Sequence, residues 1–292
     1  MGHADERERF DHTLVVLPAP AQRVIDDLLT RLDRAVPGRI DGFYVVGSAC
    51  MGAFRAGRSD LDFVAIVSGV LDRRELARVW AVHLGRWGSA LVGDGAVHGR
   101  WPLVCNGVYL RHGDLSRSAL EVTPIAGHVG GRFRVGERAG FDVNPVTWHL
   151  LAGHGIAVRG PQRNGLQVHV DDAQLRAWTL ENLDGYWRRW AQRARRNTVS
   201  IPRALPRRLA AGGVLGAPRL HHTIATGEII SKPTAARYAL DTFDARWHPV
   251  ISDALGFWHG APAPPPYRRH PARRNRDAGR FVDVVIEAAH RL

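Results

Sequence analysis

Residues 42–67 constrain the fold more than any other stretch of this chain. In the segment GFYVVGSACMGAFRAGRSDLDFVAIV, two apolar runs enclose Gly47-Ser48 and Asp60-x-Asp62. Successive side chains of a strand point to opposite faces, so Asp60 and Asp62 are expected on one face. Two such neighbouring carboxylates repel each other, and a divalent cation with a preference for oxygen ligands, such as Mg²⁺, relieves that repulsion. The segment therefore predicts two strands with a Gly-rich connection and an acid pair suited to a metal ion.

The spacing of these residues resembles a known signature. Gly47-Ser48, then eleven residues, then Asp60-x-Asp62 is similar to the polymerase-β-type nucleotidyltransferase superfamily, and GSACMGAFRAGRSDLDF is most like its aminoglycoside (streptomycin/spectinomycin-type) adenylyltransferases. The resemblance implies that Gly47, Ser48 and Ser59 bind the nucleotide, and that Asp60 and Asp62 are catalytic residues that hold Mg²⁺. The alternative is an ordinary hairpin-like unit with an exposed pair of acids.

A second stretch carries the same resemblance. It reads RLHHTIATGEIISKPTAARYAL and then HPVISDALGFWHG. The resemblance implies that Arg219 and Lys232 point at the nucleotide phosphates across a cleft between two domains. A triphosphate needs several basic groups around it, because its charge must be both held and polarised. The alternative is two surface cations in a very basic protein.

The resemblance implies an α+β fold in two domains. An N-terminal polymerase-β-like nucleotidyltransferase domain, with a mixed sheet and packed helices, is predicted over residues 1–161. An all-α helical bundle is predicted over 162–292, with an extended or mobile Pro/Arg-rich linker at 261–280. Apolar periodicity predicts helices over 18–36, 72–87, 145–153, 172–195, 217–230, 244–259 and the C-terminal FVDVVIEAAHRL, and strands over 103–110, 119–125 and 155–161. The tryptophans at 178, 187 and 190 are interpreted as core residues of the bundle.

The predicted site departs from the family at one position. Adenylyltransferases of this type carry a glutamate on the strand beside the acid pair, and the matching residue here is Asn106, which cannot accept a proton near neutral pH. Glu121 is the nearest replacement as a catalytic carboxylate, followed by Asp114 and Asp142. The alternative for Glu121 is a solvent-facing strand residue.

Bulk properties limit the possible partners. The formal net charge is +12 and the pI is about 11.0, but the basic residues are almost all arginine in an Ala-, Gly- and Pro-rich chain, which is what GC-rich coding produces. The composition therefore does not favour nucleic acid as a partner, and the arginine-rich segments leave it as an alternative. The two cysteines suggest no disulfide framework, no apolar run approaches a membrane span, and MGHADERERF is no signal peptide. A cytoplasmic protein is expected.

The resemblance implies a Mg²⁺-dependent transfer of AMP from ATP to a hydroxyl group of a small molecule. The acceptor is left open by the sequence, because residues 188–216 hold eight arginines and no acid and would repel a polycationic aminoglycoside. One alternative is a nucleotide-binding regulator that lacks the third carboxylate and has lost catalysis. Another is nucleotidyl transfer to RNA or protein, for which the arginine-rich segments are the argument.

Overall fold

A computed structural model of the chain describes residues 17–90, 103–196 and 204–292. Six described strands form one mixed sheet: β1 (Ile40–Val46), β2 (Leu61–Val67), β3 (Cys105–Arg111), β4 (Ala126–Val129), β5 (Arg132–Val135) and β6 (Ile156–Arg159). Their spatial order is β5-β4-β3-β2-β1-β6. Strands β2 and β3 pair in parallel, and the other neighbours pair antiparallel.

The two strands predicted from residues 42–67 are the centre of this sheet. All but one residue of each is buried, because helices cover both faces. The parallel step from β2 to β3 requires a crossover, which contains helix α3 (Arg73–Ala90). One face packs on α1 (Ala19–Ala35), and the other packs on α4 (Pro145–His154) through residues such as Trp148. The helices predicted over 18–36, 72–87 and 145–153 are confirmed.

The rest of the described chain is helical, as predicted. It comprises α5 (Asp172–Asn182), a π-helical turn (Leu183–Trp187), α6 (Arg188–Arg196), α7 (Ala204–Thr226), α8 (Lys232–Thr242), α9 (His248–His259), α10 (Pro265–Arg269) and α11 (Pro271–Ala289). These helices share one apolar core, into which the predicted C-terminal helix inserts Val282, Val285 and Ile286. The α+β fold class is thus confirmed, while the domain boundary at residue 161 stays a prediction. Within the described ranges, no helix combines the length and apolarity needed to cross a bilayer.

The helical core also contains a buried ionic group. The carboxylate of Asp253, on α9, lies between two guanidinium groups and accepts a hydrogen bond of 3.0 Å from Arg207 Nε. Arg274 Nε lies 2.8 Å from its other oxygen. The side chain of Asp253 is only 2% exposed, so the two cations neutralise a charge that water does not reach.

Three sequence-based predictions of secondary structure were wrong. The predicted linker at 261–280 is largely helical, because its prolines begin α10 and α11 rather than extend the chain. The helix predicted from residue 217 begins at Ala204 and contains Pro218, since the buried apolar residues before the proline continue the helical face. Residues 119–125, predicted as a strand, begin with a 3₁₀ turn (Ala119–Glu121).

Candidate active site

Gly47 marks the point where β1 gives way to the short helix α2 (Gly47–Cys50). Its φ is +69°, a left-handed conformation that glycine adopts without strain. A Cβ atom at this position would lie 2.1 Å from Oδ2 of Asp62. Position 47 therefore requires glycine for two reasons: the backbone turns there, and an acidic side chain packs directly on it.

The acid pair lies where β2 begins. Asp62 is paired in register with Val46 on β1 and with Asn106 on β3, so it lies at the end of the central strands. Asp60 lies just before the strand; its side chain is 33% exposed, and its Oδ1 is 3.5 Å from Nη2 of Arg208. Ser59 is buried and its Oγ accepts a hydrogen bond of 3.0 Å from the backbone N–H of Arg55, so it fixes the turn that leads into the pair.

A third acid comes from a different part of the chain. Asp142 ends a 3₁₀ segment (Gly136–Asp142) just before α4, and it lines the same cavity as Asp62. Burial, and next the charges of Asp142 and Asp60, raise the pKa of Asp62 to about 7. Burial, and next Asp60, raise the pKa of Asp142 to about 6. The three carboxylates thus form one electrostatically coupled group.

The other sequence-based candidates for the third carboxylate lie elsewhere. Asn106 is buried, and its Oδ1 accepts a hydrogen bond of 3.0 Å from the backbone N–H of Gly130, so it joins β3 to the β4–β5 turn. Glu121 is exposed at the end of its 3₁₀ turn and does not line the cavity. Asp114 is buried and accepts a hydrogen bond of 2.9 Å from the backbone N–H of Arg111. The sequence ranked Asp142 below Glu121 because a loop residue offers no periodicity that would show which way it points.

Arg219 and Lys232 face the acids from the helical part. Arg219, on α7, donates a hydrogen bond of 2.8 Å from Nε to the carbonyl of Ile230, and Lys232 begins α8 with its Nζ 5.3 Å from the ring centre of Trp258. Burial lowers the pKa of both groups, and the charge of Asp62 partly offsets this effect. The predicted juxtaposition of cations and acids is therefore present in the geometry, with both cations lining the cavity.

Two further arginines line the same cavity and were not singled out from the sequence. Arg58 lies over the ring of Phe257, 4.2 Å from its centre, and donates a hydrogen bond of 3.0 Å from Nε to the carbonyl of that residue. Arg208 pairs with Asp60 and donates a hydrogen bond of 3.3 Å to the carbonyl of Arg58. The arginine-rich composition concealed them, because nothing in the local pattern separates these two from the many arginines on the surface.

The cavity has a volume of about 720 Å³. Its walls come from the sheet end (Val46, Gly47, Asp62), from the segment around Asp142, and from α5 to α9. The described aromatic residues that line it are Phe63, Phe141, Trp178, Tyr186, Trp187, Trp190, Phe257 and Trp258. Trp187 and Trp190 also pack on the helical core, so the prediction that they are core residues holds for one side of each ring only.

The residues of the acid group fit a magnesium ion that a nucleotide brings with it. Oδ1 of Asp60 and Oδ2 of Asp142 are buried and make no hydrogen bond to the described part of the chain, although Nη2 of Arg208 lies 3.5 Å from the Asp60 oxygen as an ion pair. Across those same residues, no three His, Cys, Asp or Glu side chains come close enough together to enclose a metal. Mg²⁺ commonly takes one or two protein carboxylates and completes its shell with water and substrate phosphates, which is what such an incomplete set offers.

Comparisons with known proteins agree with this architecture. The family described as "aminoglycoside adenylyltransferase, C-terminal domain" matches residues 211–283. The spectinomycin adenyltransferase AAD(9) from Enterococcus faecialis, solved with ATP and spectinomycin, shares the fold with a TM-score of 0.62. The two chains are 13% identical, and the match covers 92% of this chain and 99% of that chain. No curated protein matches the chain by sequence.

The matched family segment contains both Arg219 and Lys232, and the shared fold extends over the sheet that carries the acids. The family match concerns the helical segment, and the structural match extends over 92% of the chain. They confirm the resemblance to the aminoglycoside adenylyltransferase family that the sequence predicts.

Proposed function

We propose that the protein is a nucleotidyltransferase that moves AMP from ATP to a hydroxyl group of a small molecule. The observation that carries this proposal is the arrangement of charge: Asp62 and Asp142 line the same cavity as Arg219 and Lys232, and Asp60 is electrostatically coupled to both acids. Acids that can hold a metal ion, together with cations that can hold phosphates, are what a metal-bound triphosphate requires. The family match at 211–283 supports the proposal.

Each group has a role in this scheme. Arg219 and Lys232 bind the phosphates and neutralise the leaving pyrophosphate, while Gly47 lets the backbone turn approach the nucleotide beside Asp62. Asp60 and Asp62 hold Mg²⁺, which when bound neutralises phosphate charge. Ser48 lies half-buried on α2 next to Gly47, and Ser59 supports the acid pair through its bond to the Arg55 N–H.

Asp142 takes the role of general base in place of Glu121. A carboxylate whose pKa is raised to about 6 is still ionised at neutral pH, yet it is basic enough to accept the proton of the attacking hydroxyl. The hydroxyl oxygen then forms a bond to the α-phosphorus as the bond to pyrophosphate breaks. In this scheme Asp142 supplies the carboxylate that Asn106 cannot, so the asparagine at position 106 is compatible with catalysis.

Incubation with ATP, Mg²⁺ and a panel of hydroxyl-bearing compounds, followed by mass spectrometry, tests the reaction. The expected product carries one added AMP and is accompanied by pyrophosphate. Asp142→Asn should lower kcat by roughly 10²–10⁴-fold and keep Mg-ATP binding, because it removes the base and preserves shape. Glu121→Gln, the matched control, should behave like the wild type.

Two outcomes would contradict this assignment. An Asp142→Asn variant with wild-type turnover would contradict Asp142 as the general base. A Glu121→Gln variant without turnover would assign the general base to Glu121 instead. Tight Mg-ATP binding without any product across the panel would favour the nucleotide-binding regulator instead. AMP transfer to RNA or protein, in place of small molecules, would favour the alternative hypothesis of a macromolecular acceptor.

A further inference from the structure

The cavity has an aromatic wall on its helical side, defined here as Tyr186, Trp187 and Trp190. All three residues line the cavity. The rings of Tyr186 and Trp187 meet edge to face at 4.9 Å, and those of Trp187 and Trp190 meet at 5.9 Å with an angle of 64°. Contacts of this kind hold aromatic rings in defined orientations. The wall is therefore a fixed surface.

Two glycines on α7 leave the space that the indole rings of Trp187 and Trp190 occupy. A Cβ at Gly213 would lie 2.1 Å from the Trp190 ring, and a Cβ at Gly216 would lie 2.4 Å from the Trp187 ring. Gly213 and Gly216 are three residues apart on a helix, as are the two tryptophans, so each ring lies against the backbone of α7 at its own glycine. Both indoles are half-buried, with part of each ring left open to the cavity.

The charged groups that line the cavity lie near Asp60 and Asp62, at its nucleotide end. The cations among the described lining residues are Arg58, Arg208, Arg219 and Lys232. Among the described lining residues the acids are Asp62 and Asp142, which belong to the nucleotide end. The polar groups that line the rest are neutral: Asn144, Thr147, Asn182 and Thr223. A polyamine would find aromatic faces there but, among the described lining residues, no carboxylates beyond those assigned to the nucleotide and the base.

We propose that the acceptor is a hydroxyl-bearing compound with a flat apolar or aromatic face and at most one positive charge. This inference rests on the proposed function, and it assigns the substrate class of that same cavity. The flat face of the acceptor stacks on Trp187 and Trp190, and its hydroxyl group reaches Asp142. The hydroxyl oxygen bonds to the α-phosphorus of ATP, the bond to pyrophosphate breaks, and the proton passes to Asp142.

A matched set of probes separates the flat face from charge. We would measure binding by calorimetry to the protein saturated with Mg²⁺ and an ATP analogue that resists α–β cleavage. The probes are 2-naphthyl β-D-glucoside, methyl β-D-glucoside and kanamycin, which are respectively flat and neutral, neutral without a flat face, and polycationic. The naphthyl glucoside is expected to bind about tenfold more tightly than the other two, since aromatic stacking adds to the apolar area it buries.

Variants then locate the binding surface. Gly213→Ala and Gly216→Ala displace the indoles, so naphthyl glucoside binding should weaken at least about fivefold while Mg-ATP binding is retained. Gly85→Ala on α3, where no atom lies within 4 Å of the added Cβ, is the control and should bind both ligands like the wild type. Trp190→Phe, which keeps a ring of smaller area, should give a smaller loss than Gly213→Ala.

The outcomes separate the two proposals. Absence of heat with Mg²⁺ and the ATP analogue would contradict the proposed function itself. Normal nucleotide binding with kanamycin or methyl glucoside bound as tightly as the naphthyl glucoside would overturn only the assignment of the acceptor. Equal binding of the naphthyl glucoside by the Gly213→Ala, Trp190→Phe and wild-type proteins would also overturn it.

Discussion

Replacing Asp253 by asparagine is expected to destabilise the helical part strongly. The wild-type carboxylate is 2% exposed and serves two guanidiniums, which are 11% exposed (Arg207) and 3% exposed (Arg274). Asparagine has the same shape but no charge, so both cations lose their counter-ion where water cannot replace it. Arg274 also donates a hydrogen bond of 2.9 Å to the carbonyl of Tyr267, and this bond holds its guanidinium in the interior.

The magnitude follows from what a buried, unpaired charge costs. Removing one partner of a buried ion pair lowers the free energy of unfolding by about 3–5 kcal/mol, and here two cations depend on one anion. At roughly 2–4 °C per kcal/mol for a chain of this size class, Tm should fall by about 6–20 °C. Circular dichroism during heating, together with urea titration, measures both quantities.

The control is Asp244→Asn. Asp244 is 58% exposed, and its Oδ1 accepts a hydrogen bond from the backbone N–H of Arg246, which asparagine can also accept. The loss there should be small, because water screens the exposed carboxylate. Adding Arg274→Met to Asp253→Asn should recover part of the lost stability, because it removes one unpaired cation. Equal Tm values for Asp253→Asn and Asp244→Asn would refute the reasoning.

Two further changes test the sheet part. Gly47→Ala should lower the free energy of unfolding by about 1–2 kcal/mol, because alanine is strained in the left-handed conformation of residue 47. It should also weaken Mg-ATP binding, because the added methyl group displaces Asp62. A normal Tm together with a normal calorimetric affinity would contradict the close packing of Asp62 on residue 47. Burial, then His128 and Arg86, hold the pKa of His83 well below its usual value, so stability should be full above about pH 6.5 and fall as the pH drops below it. The decrease in Tm between pH 7 and pH 5 should be smaller in His83→Gln, and an identical decrease would assign it to other groups.

How much of the site could be predicted depends on the distance in sequence between its parts. Gly47, Asp60 and Asp62 belong to one short segment whose spacing reports two strands and a turn, so they were found together. Arg219 and Lys232 belong to a second such segment. Asp142 belongs to neither: it enters the cavity because the 3₁₀ segment before α4 directs it there. The nearest sequence signal is the Asn144-Pro145 start of that helix, where Asn144 accepts a hydrogen bond of 3.0 Å from the N–H of Thr147.

The same limit applies to apolar residues. Periodicity indicates which face of a helix is apolar, but it does not indicate whether that face meets another helix or an open cavity. Trp187 and Trp190 meet both, and the glycines that make room for them are on a helix later in the chain. The predicted linker at 261–280 was wrong for a related reason, since its residue Arg274 is buried beside Asp253, which belongs to a helix earlier in the chain.

The division of charge between the two parts of the chain has a consequence for nucleotide binding. The acids belong to the sheet part, and Arg219 and Lys232 belong to the helical part. A bound triphosphate would therefore contact both parts of the chain and link them. A ligand that binds only the folded protein stabilises it, by an amount that grows with the logarithm of the ligand concentration. The melting temperature of the folded protein should therefore rise with the nucleotide concentration. Thermal denaturation with and without nucleotide therefore measures the assembly of the whole molecule as well as occupancy of its cavity.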